Sequence, residues 1–360
     1  MEVGLGKVTI RDVSRVTGLS TYTVSRALSG APGVSADSRE QVLAAAREIG
    51  YIPNRAAQGL RRGSSDSIAV IVASTANSYY LDLMAGIQQA LRHSDWTVII
   101  ADVAVDGVYN PRLEDRIVQR LIESRTAGII TTLTLSPENT ALLANWDIPI
   151  VFVDSAPPES ANFPSVTTDN YNASLMVGEH LAEHGYRDWL FLVYPQRWTT
   201  RIDRERGIRD AAISHNAHVE VLESENDEDS AFHTLEAYLA GSARIPRVLI
   251  AGNNPLLLGS LRLLRDRGIR VPADMAVIGY DEFAWASLLD PPLTVLDEDS
   301  EGIGRLAGQT LAQIINEQVE AARSGQSQSP VYRAEYRQQV AGRLIVRRSC
   351  GCHVDNERPR

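Results

Sequence analysis

Residues 8–51 read VTIRDVSRVTGLSTYTVSRALSGAPGVSADSREQVLAAAREIGY, and this stretch divides into three short helical patterns. The first pattern stops at Gly18, the second follows Ser20, and the third follows Ser35. Both serines are good N-caps, and glycine is a common helix end. Two short helices joined by a tight turn that contains glycine, with a third helix as a buttress, form the helix-turn-helix arrangement. The stretch therefore predicts an all-α, helix-turn-helix head over residues 1–52.

The exposed face of the second helix carries side chains that can read DNA. Thr21, Tyr22, Ser25 and Arg26 offer hydroxyls and a guanidinium, which can hydrogen-bond base edges or phosphates. A bidentate contact from Arg26 to a guanine would contribute about 1–3 kcal/mol of discrimination. Periodicity alone leaves open a small helical bundle with no role in DNA binding.

Charge is distributed unevenly along the chain. The 360 residues have a formal net charge of −10, yet residues 1–62 carry nine Lys and Arg against five Asp and Glu. A basic head on an acidic body indicates that only the head approaches a polyanion such as DNA.

Residues 8–63, which continue as IPNRAAQGLRRG, resemble the head of the LacI/GalR family of bacterial transcription regulators. The match is dense, and it includes the segments TVSRAL and YIPNRAAQGL. The resemblance implies that Thr21, Tyr22 and Arg26 lie in the major groove and determine the operator sequence. It also implies contacts to the DNA backbone from Thr9, Ser20, Thr23, Ser25 and Asn54.

The segment from Asn54 to Leu60 predicts a helix that becomes ordered only when it is docked. It is rich in alanine, follows a proline, and is too short to be a stable helix in water. The resemblance implies a hinge helix that folds on DNA, pairs with the hinge of a second protomer and enters the minor groove. Leu60 would wedge between central base pairs, with Ala57 against the groove beside it. Palindromic operators require two heads, so we expect a homodimer.

From Ser67 onward, apolar β-rich runs alternate with helical patterns, beginning with IAVIVA at residues 68–73 and TVIIA at residues 97–101. Such alternation is typical of βαβ units with parallel sheets. The series restarts after residues 154–161, which contain two adjacent prolines, so we expect two similar lobes with a cleft between them. The predicted fold is thus an all-α head followed by an α/β, two-lobed, periplasmic-binding-protein-like body.

The predicted domain limits follow from these patterns. A hinge helix and linker take residues 53–64, the body takes residues 65–349, and a tail takes residues 350–360. The first lobe is expected to comprise about 65–157 and 293–322, and the second lobe about 158–292 and 323–349.

Polar residues recur at the predicted strand ends of the body. In open α/β sheets, ligands bind beyond the carboxyl ends of the strands, and carboxylates, an arginine and amides suit a polyhydroxylated ligand. A single such residue is more simply explained as a helix cap or a solvated loop residue, but their recurrence favours a binding site. Trp285 is expected either to line the cleft or to pack in the core or between the lobes. The predicted effector-binding residues are Asn77, Tyr79, Tyr80, Asp154, Trp198, Arg204, Asn253 and Asp281.

The body also resembles the LacI/GalR family along nearly its full length. Arg204 begins an R-x-x-G element of that family, which implies that it binds the effector. Asp154 and Asp281 match positions that commonly face the effector. Asn253 matches the asparagine of an A-N-D element whose usual aspartate is here Asn254. This departure leaves the charge and the hydroxyl pattern of the ligand open.

Other functional classes fit the sequence less well. A dehydrogenase needs Gly-x-Gly-x-x-Gly between its first strand and helix, whereas Gly302, Gly304 and Gly308 have the wrong spacing and lie in a helical pattern, where we expect them to pack. We find no convincing Ser/His/Asp or Cys/His set, so we expect no enzyme and no cofactor. A free sugar-binding protein of the periplasmic type would have similar lobes, but it needs a signal peptide and has no use for the head.

Both cysteines of the chain, Cys350 and Cys352, lie in the tail. This is no disulfide framework and points to a reducing compartment, and no apolar run approaches ~18 residues. We therefore expect a cytoplasmic protein with no membrane partner. Cys350, Cys352 and His353 lack the paired spacing of structural zinc sites, so we expect reduced, solvent-near thiols and no metal.

These observations together predict a sequence-specific transcription repressor that a small, sugar-like effector releases from its operator. The effector would act by changing the angle between the lobes and hence the separation of the hinges. A corepressor-dependent repressor or an activator of the same fold is the alternative, because the sign of the coupling cannot be read from residues.

Overall fold

The structure is a computed structural model that describes residues 8–52, 67–72, 77–105, 108–157, 162–242, 245–327 and 329–352. The chain divides into two compact units, Met1–Asp66 and Ser67–Arg360, which hold the head and the body. The residues predicted for the hinge, Asn54, Ala57 and Leu60, lie outside the described residues.

The head consists of three helices, α1 (Ile10–Thr17), α2 (Thr21–Leu28) and α3 (Ala36–Glu48). Ser20 caps α2 by accepting a hydrogen bond from the backbone N–H of Thr23 at 3.1 Å, as the sequence predicts. The buried core of the head joins the three helices through Val13, Val24, Ala27, Val42 and Ala46. The helix-turn-helix arrangement predicted for the head is confirmed.

The body begins with strands and helices in alternation. The elements up to the first crossing between the lobes are β1 (Ser67–Val72), α4 (Tyr79–Leu91), β2 (Thr97–Asp102), β3 (Ala104–Val105), β4 (Val108–Tyr109), α5 (Pro111–Glu123), β5 (Gly128–Thr131), α6 (Pro137–Asn145), β6 (Ile150–Val153) and β7 (Ser165–Thr168). The second lobe follows with α7 (Asn170–Glu183), β8 (Asp188–Val193), α8 (Thr200–Ser214), β9 (His218–Glu223), α9 (Glu228–Gly241), β10 (Val248–Ala251), α10 (Asn254–Asp266), β11 (Ala276–Tyr280) and β12 (Thr294–Asp297). The chain then returns with α11 (Ser300–Arg323), a 3-10 turn (Ala334–Tyr336), β13 (Arg337–Val340) and β14 (Arg343–Ile345).

Each lobe is built on a six-stranded sheet. The first sheet has the strand order β13-β7-β6-β5-β1-β2, and all its neighbours are parallel. The second has the order β14-β12-β11-β10-β8-β9, in which only β14 runs antiparallel to its neighbour. The two-lobed α/β body with parallel sheets is confirmed.

Strand β1 shows why these strands read as continuous apolar runs. Ile68, Val70 and Val72 pack into the core on one face of the first sheet, while Ala69 and Ile71 pack into the core on the other face. A parallel sheet covered by helices on both sides needs apolar residues at every position of a central strand. Strand β1 therefore shows no alternation of apolar and polar residues, because both faces of the sheet are buried.

The crossings between the lobes differ from the predicted limits. Strand β7 was placed in the second lobe by those limits, yet it pairs with β6 in the first sheet, with Phe152 opposite Ser165. The prolines at residues 157–158 therefore mark a connection between neighbouring strands of one sheet, and the chain crosses only after Thr168. For the same reason β12 belongs to the second sheet and β13 to the first, the reverse of what the predicted limits imply.

Glycines allow α4 and α11 to pack in close contact. A Cβ atom at Gly304 would overlap the carbonyl oxygen of Leu83, and a Cβ atom at Gly86 would overlap the carbonyl oxygen of Glu301. Gly304 thus serves helix packing, as its position in a helical pattern predicts. Within the described part of the chain, no helix is both long enough and apolar enough to cross a membrane.

The tail is anchored to the second sheet. The Ser349 hydroxyl donates a hydrogen bond to the carbonyl oxygen of Val277 at 2.7 Å, and the Val277 N–H donates to the carbonyl of Ser349 at 2.9 Å. Cys350 is completely buried as a result, which corrects the prediction of solvent-near thiols; Cys352 is half-buried, and both thiols are free.

Candidate functional site

A cavity of about 60 Å³ lies between the two lobes. Parallel strands place their carboxyl ends at the same edge of a sheet, so the residues that follow them meet at this cleft. The cavity is lined by Asn77, Tyr79, Tyr80, Thr132, Asp154, Tyr194, Trp198, Thr200, Arg204, Asn226, Asn253, Asp281 and Glu298. This set is called the cleft site below.

The cleft site brings together all eight residues that the sequence predicts for effector binding. Their binding role stays a prediction, because proximity is a geometric fact and not a measurement of affinity. Sequence reasoning missed five lining residues, namely Thr132, Tyr194, Thr200, Asn226 and Glu298. Three of them, Thr132, Tyr194 and Glu298, directly follow strands β5, β8 and β12, so the strand-end rule applied to every strand would have found them.

Arg204 is the most heavily bonded side chain of the cleft site, and it is only 4% exposed. Its Nε donates to Asn170 Oδ1 at 2.7 Å, its Nη1 donates to the Gly252 carbonyl at 2.7 Å, and its Nη2 is ion-paired with Glu298 Oε1. The guanidinium also lies over the ring of Tyr280, 4.6 Å from the centroid. Because protein groups hold every edge of this guanidinium, it is positioned before any ligand arrives.

Three carboxylates share this single guanidinium. Burial raises the pKa of Asp154 to about 6, and it raises the pKa of Asp281 and, further, that of Glu298; Arg204 opposes the rise in each case. Like charges crowded away from water favour the protonated form, so this group retains protons more readily than isolated carboxylates do. The cleft site therefore has a surplus of acidic groups.

Two of these aspartates adopt an unusual backbone conformation. Asp154 has φ of 46° and Asp281 has φ of 67°, in the left-handed region that few residues other than glycine adopt. Asp281 Oδ2 accepts a hydrogen bond from the N–H of Asn254 at 3.2 Å, and Asp154 Oδ1 accepts one from the N–H of Thr168 at 3.2 Å. Backbone strain of this kind is concentrated at functional sites.

Three buried polar atoms of the cleft site have no hydrogen-bond partner. They are the hydroxyl of Tyr79, Oδ2 of Asp154 and the indole Nε1 of Trp198. Buried polar groups in proteins are nearly always satisfied, and each one left unpaired costs about 1–3 kcal/mol. One hydroxyl, one acceptor and one donor on residues that line the cavity thus lack a partner in the protein.

Side chains of the two lobes also meet beside the cavity. Asn254 Nδ2 donates to Ser78 Oγ at 2.8 Å, which links the start of α10 in the second lobe to the start of α4 in the first. Trp198 packs against the cores of both lobes. These contacts join the two lobes beside the cavity.

Trp285 does not belong to the cleft site. Its ring lies 4.0 Å from that of Phe283, it is 37% exposed, and it lines a separate groove of about 600 Å³ on the second lobe. The prediction that it could line the cleft is therefore wrong. Outside the cleft site, the side chains of His180, His184, Cys350 and Cys352 lie close enough together to hold a metal ion.

The predicted DNA-reading residues lie along and next to α2. Thr21 and Tyr22 are exposed, and Tyr22 is 68% exposed, an unusual position for a large aromatic side chain without a partner surface. Arg26 Nη1 donates to the Tyr22 hydroxyl at 3.1 Å, and Arg26 Nη2 donates to the Pro32 carbonyl. These two bonds use two of the five N–H donors of the guanidinium.

The remaining predicted contacts of the head lie at helix starts and on the same helix. Thr9 precedes α1, where its N–H and its hydroxyl both donate to Asp12 Oδ2, and Ser20 precedes α2. Thr23 and Ser25 are half-buried on α2. The first turn of α2 carries no acidic residue and so suits an anion such as phosphate, whereas the Asp12 carboxylate already occupies the start of α1.

Two family models match the chain. One, described as "Bacterial regulatory proteins, lacI family", matches residues 9–54. The other, described as "Periplasmic binding proteins and sugar binding domain of LacI family", matches residues 65–336. The two matches cover the head and most of the body.

Individual proteins are similar over nearly the whole chain. The HTH-type transcriptional repressor PurR of Vibrio cholerae is 26% identical, over 86% of this chain and 92% of its own length. The ribose operon repressor of Haemophilus influenzae is 25% identical, over 85% and 92%. Among solved structures, the Lac repressor dimer bound to operator and the anti-inducer ONPF has a TM-score of 0.76 at 25% identity, over 96% of this chain and 99% of that one. A complex of the transcriptional regulator CelR with cellobiose has a TM-score of 0.67 at 25% identity, over 95% and 99%.

Proposed function

We propose a function from the premise that this chain belongs to the LacI family of bacterial regulatory proteins. The protein is a repressor, and a small sugar-like effector without negative charge releases it from its operator. Members of this family are DNA-binding transcription regulators, with a helix-turn-helix head and an effector-binding body. The proposal adds the direction of the response and the chemical class of the effector.

The observation that carries the proposal is the set of unpaired polar atoms in the cleft site. The Tyr79 hydroxyl, Asp154 Oδ2 and Trp198 Nε1 belong to residues that line the cavity, and these atoms have no hydrogen-bond partner. Ligand hydroxyls both donate and accept, so a polyol can satisfy an acceptor and a donor side by side. The aromatic rings of Tyr79 and Trp198 supply flat surfaces on which a sugar ring can stack.

The charge of the cleft site supports a neutral or cationic effector. Asp154, Asp281 and Glu298 surround a guanidinium that is already ion-paired with Glu298. A carboxylate or phosphate on the ligand would be repelled by the surplus acidic groups between the lobes, where charge repulsion is poorly screened. Sugars and amino sugars therefore fit better than sugar acids or sugar phosphates.

A dimer is the assembly that we propose for binding a palindromic operator. Strand β2 is an edge strand of the first sheet, and it exposes Ile99 (43%) and Ile100 (50%). An apolar sheet edge left in water favours association with a partner surface. The similar Lac repressor structure is a dimer on its operator. The hinge contacts of Asn54, Ala57 and Leu60, which lie outside the described residues, remain predictions.

The test is operator binding measured by fluorescence anisotropy, with a DNA fragment from the region upstream of the gene and with the salt concentration held constant. We expect tight binding that one neutral or amino sugar weakens about 5–150-fold. Sugar acids should have no effect. Binding that appears only with a compound would instead establish a corepressor, and no specific binding under any condition would overturn the proposal.

Replacing Arg204 by Ala should abolish the effector response and leave operator binding intact. The substitution removes the guanidinium that positions the cleft site, while the head that contacts DNA is a separate unit. The anisotropy assay provides both readings on one sample. The matched control is Arg206→Ala on the same helix, because Arg206 is exposed and does not line the cavity. A normal response in the Arg204 variant would remove Arg204 from the effector site.

A further inference from the structure

Four side chains at the tail of the second lobe form a compact cluster that the cleft site does not use. They are His180, His184, Cys350 and Cys352, and their ligand atoms all lie within 4.8 Å of one another. We propose that this tail cluster is a structural Zn²⁺ site that fastens the C-terminal tail to helix α7.

The separations within the tail cluster match those of a tetrahedral zinc ion. With Zn–S of about 2.3 Å and Zn–N of about 2.0–2.1 Å, a tetrahedral ion holds a sulfur and a nitrogen ligand roughly 3.6 Å apart. Nε2 of His180 lies 3.4 Å from Sγ of Cys350 and 3.9 Å from Sγ of Cys352. Nε2 of His184 lies 2.8 Å from Sγ of Cys352. Shifts of less than an ångström would place all four around one ion.

The two histidines are placed by the last turn of α7. They are four residues apart, so they lie on the same face of the helix, with ring centroids 4.7 Å apart. His184 is the C-cap, and Gly185 turns away from the helix with φ of 77°. The helix thereby presents two imidazoles side by side at one end.

The two cysteines are placed by a glycine turn. Gly351 has φ of 94°, and a Cβ atom there would lie 2.9 Å from the hydroxyl of Tyr186. The same hydroxyl donates to the carbonyl of Cys350 at 3.1 Å, which ties the turn to the segment just after α7. A residue other than glycine would disturb this turn, so the Cys-Gly-Cys sequence suits a pair of neighbouring ligands.

The donor set and its charge favour zinc. Two thiolates and two imidazoles in a tetrahedral arrangement suit Zn²⁺, which needs no redox partner. Two thiolates also balance the charge of a divalent ion, so a partly buried site would bear no net charge. Because four protein ligands close the coordination sphere, the site leaves no open position for catalysis and would be structural.

The tail sequence alone predicts no metal, because two of the four side chains lie far away in the chain. His184 and Cys352 are 168 residues apart in the chain, and the fold alone brings them together. His353, which the tail motif included, lies outside the described residues. In the proposed site, the partners of the two cysteines are His180 and His184 at the end of α7.

The test measures metal binding by the full chain under reducing conditions. Protein stripped with a chelator is titrated with Zn²⁺ and, separately, with Co²⁺, and the bound metal is counted by mass spectrometry. We expect one ion per chain, the intense visible bands of tetrahedral Co²⁺ with a thiolate charge-transfer band, and a rise in Tm of several degrees with Zn²⁺. No stoichiometric binding, or an octahedral Co²⁺ spectrum, would overturn the proposal.

Variants assign the ion to the tail cluster. Cys352→Ser and His184→Ala should lose the stoichiometric ion, the tetrahedral spectrum and the Zn²⁺-dependent rise in Tm. The matched control is His215→Ala, because His215 is the exposed C-cap of α8 just as His184 is the exposed C-cap of α7. Unchanged metal binding by both tail variants would place the ion elsewhere. A Cys350–Cys352 disulfide that persists under reducing conditions, detected by thiol counting, would also refute the site.

Discussion

Arg204 shows how one residue permits the burial of several charges. Its guanidinium is held by Asn170, by the Gly252 carbonyl and by Glu298, and it lowers the pKa of each carboxylate against the effect of burial. A buried charge without such a partner would cost several kcal/mol. The acidic surplus nevertheless remains, which makes the protonation of the cleft site sensitive to pH.

Asp154→Asn should change the pH dependence of stability. Burial raises the pKa of Asp154 from 3.8 to about 6, so its contribution to stability is fully present below about pH 4 and is lost as the pH rises through about 6. The asparagine cannot ionise, so the variant should gain in Tm relative to the wild type at about pH 8 and should show no such gain at about pH 4.

Thermal unfolding followed by circular dichroism across this pH range measures the difference. Asp95→Asn serves as the control, because Asp95 is an exposed carboxylate that does not line the cavity. A Tm difference between Asp154→Asn and wild type that stays constant with pH would contradict the raised pKa.

Helix pairs form the next level of organisation, and α4 with α11 is the clearest example. Backbone of one helix meets backbone of the other at Gly86 and Gly304 because neither residue has a side chain there. Helix α11 covers the first sheet through Ile303, Ala307 and Leu311, all of them buried. The return of the chain from the second lobe is thus fixed by close helix contact.

Gly304→Ala should destabilise the body by about 1–3 kcal/mol, since the added methyl group overlaps the carbonyl of Leu83 and forces the helices apart. Urea unfolding followed by circular dichroism measures the change. Gly241→Ala is the control, because Gly241 also lies in a helix, at its last residue, but has open space around its Cβ position. It should be neutral or slightly stabilising. Equal changes in the free energy of unfolding for the two variants would show that the close contact at Gly304 does not determine the stability of the body.

At the scale of the whole molecule, the cavity between the lobes is small for a sugar. A cavity of about 60 Å³ holds a few water molecules at most, and the Ser78–Asn254 hydrogen bond spans the two lobes beside it. An effector that binds in the cleft site would therefore require movement between the lobes, which is the movement that can be transmitted to paired hinges.

Ser78→Ala should accelerate effector release about 5-fold, because a neutral hydrogen bond that closes the cleft contributes about 1 kcal/mol. Stopped-flow tryptophan fluorescence, with the effector that the anisotropy panel identifies, measures the rate. Ser94→Ala is the control, since the Ser94 hydroxyl donates only to Leu91 within the first lobe. If both variants release the effector at the wild-type rate, the hydrogen bond does not hold the cleft closed.

The sequence by itself determined whatever depends on short-range patterns. The caps and periodicity of residues 8–51 specify three helices, since capping and amphipathic burial are local. The apolar runs specify parallel strands, and Asp154 and Asp281 directly follow two of them, whereas Arg204 lies in the helix after β8. Parallel sheets place the carboxyl ends of their strands at one edge whatever the strand order. Many residues of the cleft site could therefore be predicted before its geometry was known.

Only the tertiary structure decided which distant segments meet. The crossings between lobes depend on strand pairing, and β7 paired with β6 although prolines precede it. The ion pair of Arg204 with Glu298, 94 residues away, and the meeting of His184 with Cys352, 168 residues away, leave no local trace in the sequence. Such contacts are set by how whole elements pack, because packing free energy is shared among many residues and belongs to no single segment.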